Sequence, residues 1–345
     1  MLIKKLKSKL NKESPATHVL VYSIVLFTSV IGFRLKMYLE GQHYMVLYTE
    51  EDKQAVKKEI GLKDGVLEED INLIIEWFKK QPHLAEAPID RDFIERILVS
   101  AKGSREKAKY RIDNFYKYRA LAPELIQSRV EILSKTDENI WTFFHQGIVP
   151  QLYNGKRVSL INFESDPSTF DTEVLYRNII LMADFRLKYD YMFNEIWVVD
   201  LNNAGFGHLM RYNPIIFQKA VNIYQEGLGV RVSKIHCVNA PVFGHHVANF
   251  MKKFVKAKLM ERVIIHDSLE SLHKHLPKQY LPKDYGGDLP TLKEYSDRFD
   301  KEFRTEKTKN ILIDFCKLVS DESKRPREKY NEEAIVGSFK KLDFD

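Results

Sequence analysis

The sequence predicts an α/β protein in two parts, an all-helical N-terminal subdomain followed by a domain built on a mostly parallel sheet. Three observations carry this expectation. Residues 50–135 show helical periodicity and no strand pattern. From about residue 150, short β-branched runs alternate with helical segments, the pattern of βαβ units. Hydrophobic residues make up 44% of the 345, with only 15 Gly and 12 Pro, which supplies a core and excludes fibrous or low-complexity classes.

The chain divides by composition into 1–45, an extension with a short apolar run; 46–135, helical; 136–300, the α/β domain; and 301–345, a helix and charged tail. The apolar run Val19–Phe33 follows a lysine-rich start and is flanked by Arg34 and Lys36. It is short of the roughly 20 apolar residues that span a bilayer, and Ser23, Thr28 and Ser29 interrupt it. It reads as a signal segment, a membrane anchor or, the reading favoured here, an extension ahead of a domain that begins at Met45.

In the helical part, Glu68–Lys80 spaces Ile71, Ile74, Ile75 and Phe78 on one face and stops at Pro82. Arg91–Ser100 does the same with Phe93, Ile94, Ile97 and Leu98. Ser104 is placed to cap Arg105–Leu121, which turns Ala108, Ile112, Phe115 and Tyr116 inward, and Pro123 starts a further short turn. Strands are expected at Val158–Phe163, Ile196–Leu201, Ile235–Val238 and Val263–His266. Helices at Thr172–Tyr189, Pro214–Gln225 and His245–Lys256 lie between them, and Leu292–Phe303 follows. Residues 321–334 are charged and Pro-broken and are expected to be mobile.

Charge and chemistry narrow the function. Lys4, Lys5, Lys7, Lys9, Lys12, Arg34 and Lys36 against Glu13 already equal the whole net charge of +6, so the rest of the chain is neutral and lacks the basic field of a nucleic-acid binder. Cys237 and Cys316 fall in a strand and a helix and make no disulfide framework. Gly205-Phe206-Gly207-His208 begins like a dinucleotide fingerprint, but Met210 stands where the third glycine belongs, and a turn is the better reading. His236 and His266 lie on strands and are expected to be packed or hydrogen-bonded; a metal-dependent hydrolase built on them is the weaker rival. No catalytic residue, metal site or cofactor is assigned.

Asn239–Lys256 is the most distinctive stretch. On a helix, Phe243, Val247, Phe250, Met251, Phe254 and Val255 share one arc, while His245, His246, Asn249, Lys252, Lys253 and Lys256 share the other. Such a helix can roof a cavity, lie on an anionic membrane, or simply dock on a core.

Three segments decide among these: IWVVDLNNAGF, KIHCVNAPVFGHHVANFMKKFVKAKLMERVIIH and YLPKDYGGDLP. In order and spacing they resemble the CRAL-TRIO lipid-binding family, nearest its tocopherol- and retinaldehyde-carrying members. ERILVSAKGSREKAKYRIDNFYKYRALAPEL resembles that family's small N-terminal helical domain, and the tail GSFKKLDFD is similar to endings in an insect-expanded branch. The resemblance implies a sheet-floored hydrophobic cavity closed by a mobile lid helix, one bound hydrophobic ligand and no catalysis. It places Phe163, Ile180, Ala183, Val199, Val242, Phe243, Val247, Phe250, Met251 and Phe254 at the cavity and its lid. Two positions that carry serine in the tocopherol branch fall at Ile179 and Ala183, and the glutamate of the phosphatidylinositol-exchanging branch falls at Val230.

The resemblance also implies a basic cluster for a phosphoinositide headgroup at Arg231, Lys234, Lys258 and Arg262. Ser233 replaces one of the family's arginines, and Val99-Ser100-Ala101-Lys102 has lost most of an arginine-rich run, so this contact is expected to be weaker. The expected protein is thus a monomeric, cytoplasmic carrier of a small hydrophobic lipid (tocopherol-, retinoid- or carotenoid-like) that touches phosphoinositide-containing membranes transiently. The alternative is a phosphoinositide-binding signalling or scaffold protein anchored through Val19–Phe33.

Overall fold

A computed structural model describes residues 42–135, 139–164, 166–191, 194–240 and 255–326. The helical part comprises α1 (Glu50–Glu59), α2 (Asp64–Lys79), α3 (Arg91–Ser100), α4 (Arg105–Ala120), α5 (Pro123–Ile126) and α6 (Arg129–Ser134). Side-chain caps start several of them. Thr49 and Asp52 form a capping box on α1, Asp90 accepts from the Phe93 amide, and Ser104 accepts from Lys107 as its position indicated. The apolar stripes of α1 to α4 meet in one cluster with Ile71, Ile74, Phe78, Ile97 and Phe115 almost fully buried.

The sheet runs β1-β2-β3-β4-β5, with β1 (Phe144–Ile148) antiparallel to β2 (Arg157–Phe163). β2, β3 (Glu195–Asp200), β4 (Val232–Val238) and β5 (Val263–Ile265) are parallel neighbours, as the β/α alternation required. The crossovers include α7 (Thr172–Tyr189), α8 (Phe206–Met210), α9 (Pro214–Asn222), which continues as a π-helical turn over Ile223–Leu228, and α10 (Ala257–Met260). After β5 come α11 (Leu269–His273), α12 (Leu292–Phe303) and α13 (Glu306–Cys316).

Strand residues alternate between two faces. Val158, Leu160, Ile196, Val198 and Val238 pack beneath the sheet on Leu272, Leu276, Leu281, Tyr285 and Leu292. The opposite face lines the cavity described below.

Asp184 of α7 joins the helical part to the sheet domain. It is fully buried and accepts from Arg119 at 2.9 and 3.0 Å and from Arg129 at 2.6 Å, both arginines being fully buried as well. The segments expected to be peripheral are tied in. Met45 and Val46 are buried, Leu47 N–H donates to the Pro150 carbonyl at 2.8 Å, and His43 pairs with Glu302 at 3.0 Å. Phe299, Phe303 and Leu312 pack with Phe185. Residues 321–326, expected to be mobile, are held as well: the Asp321 amide donates to the His83 carbonyl at 2.9 Å, and Arg325 bridges to Asp113 at 2.8 Å. The rest of that stretch, and Val19–Phe33, lie outside the described residues. Among those described, no helix is long and apolar enough to cross a membrane.

Candidate functional site

The upper face of the sheet floors a cavity of about 430 Å³, within the ~300–1,000 Å³ range of small-molecule sites. Each parallel strand contributes at a period of two: Ile161 and Phe163, Trp197 and Val199, Ile235 and Cys237, Val263 and Ile265. Leu175, Tyr176 and Ile179 of α7, Phe217, Ala220 and Val221 of α9, and Leu209 of α8 wall it from above, while Leu259 and Met260 of α10 close the β5 side. Ala240 and Val255, which flank residues 241–254, both line it.

No described lining residue is acidic or is a lysine or arginine. Its polar groups are largely engaged. Tyr176 and Tyr212 hydroxyls bond each other, and the Tyr224 hydroxyl donates to the Ile179 carbonyl at 3.1 Å. His208 Nδ1 accepts from the Gly205 amide at 3.1 Å, which leaves Nε2–H to donate to the Glu164 carbonyl at 3.2 Å. Burial raises all three tyrosine pKa values and pushes the Cys237 thiol up to about 11. These tyrosines and the thiol are therefore uncharged at neutral pH.

Charge begins immediately below. Arg157, Ser159 and Glu195 share the cavity-side parity of β2 and β3 but sit at the strands' N-terminal ends. There Arg157 pairs with Asp190 at 2.8 Å and Arg186 with Glu195 at 2.6 Å, all buried. The network is matched cation to carboxylate and seals that end without facing a guest.

Phe163 and Val199 line the cavity. Ile180 and Ala183 do not, and those two expectations are corrected. Ile180 packs with Leu125, Ile126 and Ile223, and Ala183 within the helical cluster. Phase explains Ile180, which is turned off the stripe of Leu175, Tyr176 and Ile179; Ala183 shares that stripe but lies one turn beyond Ile179, where the helix meets the helical cluster instead of the cavity. Val242, Phe243, Val247, Phe250, Met251 and Phe254 lie outside the described residues. Reasoning from the sequence missed Trp197, Tyr176, Tyr212, Phe217 and Leu209. For Trp197 the signal was present, two residues before Val199 on the same strand.

The basic positions cluster around α10 and the start of β4. Lys234 and Lys258 are exposed, and Arg231 and Arg262 are half-buried. Arg262 also donates to the Val232 carbonyl, and burial, with a smaller repulsion from Arg262, lowers the Arg231 pKa. α8, where a turn was expected at Gly205–His208, turns Leu209 and His208 inward and leaves Phe206 62% and Met210 70% exposed, with Ile215 67% exposed nearby in sequence. His236 and His266 are buried and bonded to each other, as their strand positions suggested. Among the described residues no group of three His, Cys, Asp or Glu side chains is arranged to hold a metal ion.

Comparison with known proteins fits this geometry. Residues 153–287, which hold β2 through β5 and their crossovers, match the model of the CRAL/TRIO domain. The chain carries a CRAL/TRIO domain. Ahead of it, residues 64–131 match the Pinta-like UBA domain model. Rat Clavesin-1 is 25% identical over 247 residues, 69% of this chain and 68% of its own. The human alpha-tocopherol transfer protein-like protein is 24% identical over 268 residues, 72% and 73%. The crystal structure of Sfh5 overlaps 73% of this chain and 92% of its own at 14% identity, with a TM-score of 0.38. At the level of the family, CRAL/TRIO means lipid binding and transfer, and the apolar cavity is the feature of this chain that answers to it.

Proposed function

We propose that this CRAL/TRIO protein holds one small neutral lipid over β2–β5 and passes it between membranes, without catalysis. The observation that carries the reading is the cavity itself, large, apolar and free of charged lining among its described residues. A carboxylate would meet no cation there, which favours an alcohol, aldehyde or hydrocarbon over a fatty acid. Val230 lines the wall where a glutamate marks the phosphatidylinositol-exchanging branch, so a buried inositol headgroup finds no partner at that position.

Two surface features support transient docking on a phosphoinositide-bearing membrane. α10 presents Lys258 outward and Leu259 and Met260 inward, which puts a cation beside the cavity wall. Each such charge contributes on the order of 1 kcal/mol near an anionic surface. Phe206, Met210 and Ile215 add apolar contact worth roughly 1.5–3 kcal/mol each if the interface buries them. The test is transfer of a fluorescent tocopherol analogue from donor to acceptor vesicles. The expected result is protein-dependent transfer that accelerates when acceptors contain phosphatidylinositol bisphosphate. Transfer no faster than the protein-free rate would overturn the proposal.

A further inference from the structure

The underside of the sheet carries a histidine cluster that the cavity does not use. His236 of β4 and His266, one residue past β5, are 2% and 4% exposed, with His236 Nδ1 and His266 Nε2 2.8 Å apart. His275, beyond α11, completes a triangle whose ring centroids are 5.0, 5.3 and 5.5 Å apart. His266 Nδ1 lies 2.9 Å from the Ser271 hydroxyl. If that nitrogen carries the proton, Nε2 is the acceptor and His236 Nδ1 the donor, and both rings are neutral. A proton added at His236 Nε2 leaves this bond in place and one added at His266 forces a tautomer switch on His236, whereas protonation of both rings sets N–H against N–H and breaks the bond.

This bond spans the weakest seam in the cavity. β5 is an edge strand of three residues, paired with β4 only through Ile235, His236 and Cys237. Its other face, with α10, supplies Val263, Ile265, Leu259 and Met260 to the cavity wall.

We propose that His236, His266 and His275 form an acid-sensitive tie, whose protonation parts β5 from β4 and opens the cavity on that side to release its guest. This rests on the cavity being the guest's site. Around the cluster, Lys234 on β4 opposes added charge and Asp267 after β5 favours it. From β3 the partner of His236 is Val198, and from the far side Leu272 and Leu276 pack beneath the sheet; His273 is engaged with the Tyr285 carbonyl at 2.8 Å. Burial, then His266, His275 and Lys234, hold His236 down to about 4. The closed state therefore rejects a proton that a parted seam would accept near the ordinary 6.5, so the tie weakens as pH falls from there towards 4.

The test uses the full chain and two readouts. Release of the same fluorescent tocopherol analogue is timed at pH 7.5 and 5.0, and amide exchange at Val263–Ile265, corrected for intrinsic pH dependence, reports the seam with or without a guest. The parent should release about tenfold faster at pH 5.0 and lose protection at β5, a difference of ~1.4 kcal/mol. His236→Asn with His266→Gln retains the bonding positions without the titration and should change less than about twofold; His275→Gln, on the exposed side, gives an intermediate response should the pair not fold. Unchanged β5 protection in the parent down to pH 5.0, or an equal response in parent and variants, would overturn the tie. Failure to load at pH 7.5 would count against the cavity reading instead, and exchange at β5 would still decide the tie.

Discussion

Cys237 lets the cavity report its own intolerance of charge. The thiol points from near the C-terminal end of β4 into the guest's space, and burial alone raises its pKa from 9.0 to about 11. A rise of about two pH units corresponds to roughly 2.7 kcal/mol against negative charge at that point. Cys237→Asp places a permanent carboxylate there. In the empty protein, water entering the cavity can solvate part of it. A guest that fills the space removes that water, so the penalty falls on binding more than on folding. The expected loss is about 100-fold in affinity for the fluorescent tocopherol analogue at pH 8, measured by fluorescence titration. Cys237→Ser, similar in size and uncharged, is the reference, and circular dichroism confirms that both variants fold. If the aspartate variant binds within about threefold of the serine variant, the guest does not occupy this cavity, or the cavity stays wet when occupied, and the reasoning fails.

Three further outcomes follow from the same structure. Asp184→Ala strands Arg119 and Arg129, both fully buried, and should lower unfolding free energy by about 3–5 kcal/mol in urea titration; a loss under about 1 kcal/mol would mean that water reaches the pair. Lys234→Glu with Lys258→Glu should weaken sedimentation with phosphatidylinositol bisphosphate vesicles at least about 30-fold while leaving guest occupancy unchanged, at roughly 1 kcal/mol per charge lost; Arg262 is left intact because it also holds the Val232 carbonyl. Equal sedimentation of variant and parent would remove these lysines from the docking surface. The depressed His236 pKa makes stability fully present above about pH 6.5 and lost as pH falls towards 4. The full shift is worth roughly 3 kcal/mol, discounted to ~1–2 because the exposed His275 side admits water. Calorimetry should therefore show a fall in melting temperature over that window that His236→Asn reduces.

Much of this architecture was legible because its strands are buried on both faces. Val158–Phe163 and Ile196–Leu201 read as short β-branched runs, and Thr172–Tyr189 carried helical spacing to its observed ends. β1 was not legible. Phe144–Ile148 carries the polar Gln146 and the weak strand former Gly147, yet a Cβ on Gly147 would lie 2.8 Å from the Tyr295 Cβ. The glycine is there so that α12 can approach the strand. α8 hid for the same reason, since a Cβ on Gly207 would come within 2.8 Å of the Pro167 ring. At the site, strand parity found Phe163 and Val199, while Ile180 failed because helical phase was not applied to it, and Ala183 because phase alone does not tell how far along α7 the cavity extends. Tyr176, Tyr212 and Phe217 belong to elements distant in sequence, and no local pattern could bring them together.

The most direct measurement is native mass spectrometry of the purified, untagged chain after incubation with a mixed lipid extract, followed by solvent extraction and identification of what is released. The account predicts one added mass per protein, of a neutral hydrophobic lipid, absent from Cys237→Asp prepared alongside. A chain that retains only its own mass, or that carries the same lipid in both preparations, contradicts it.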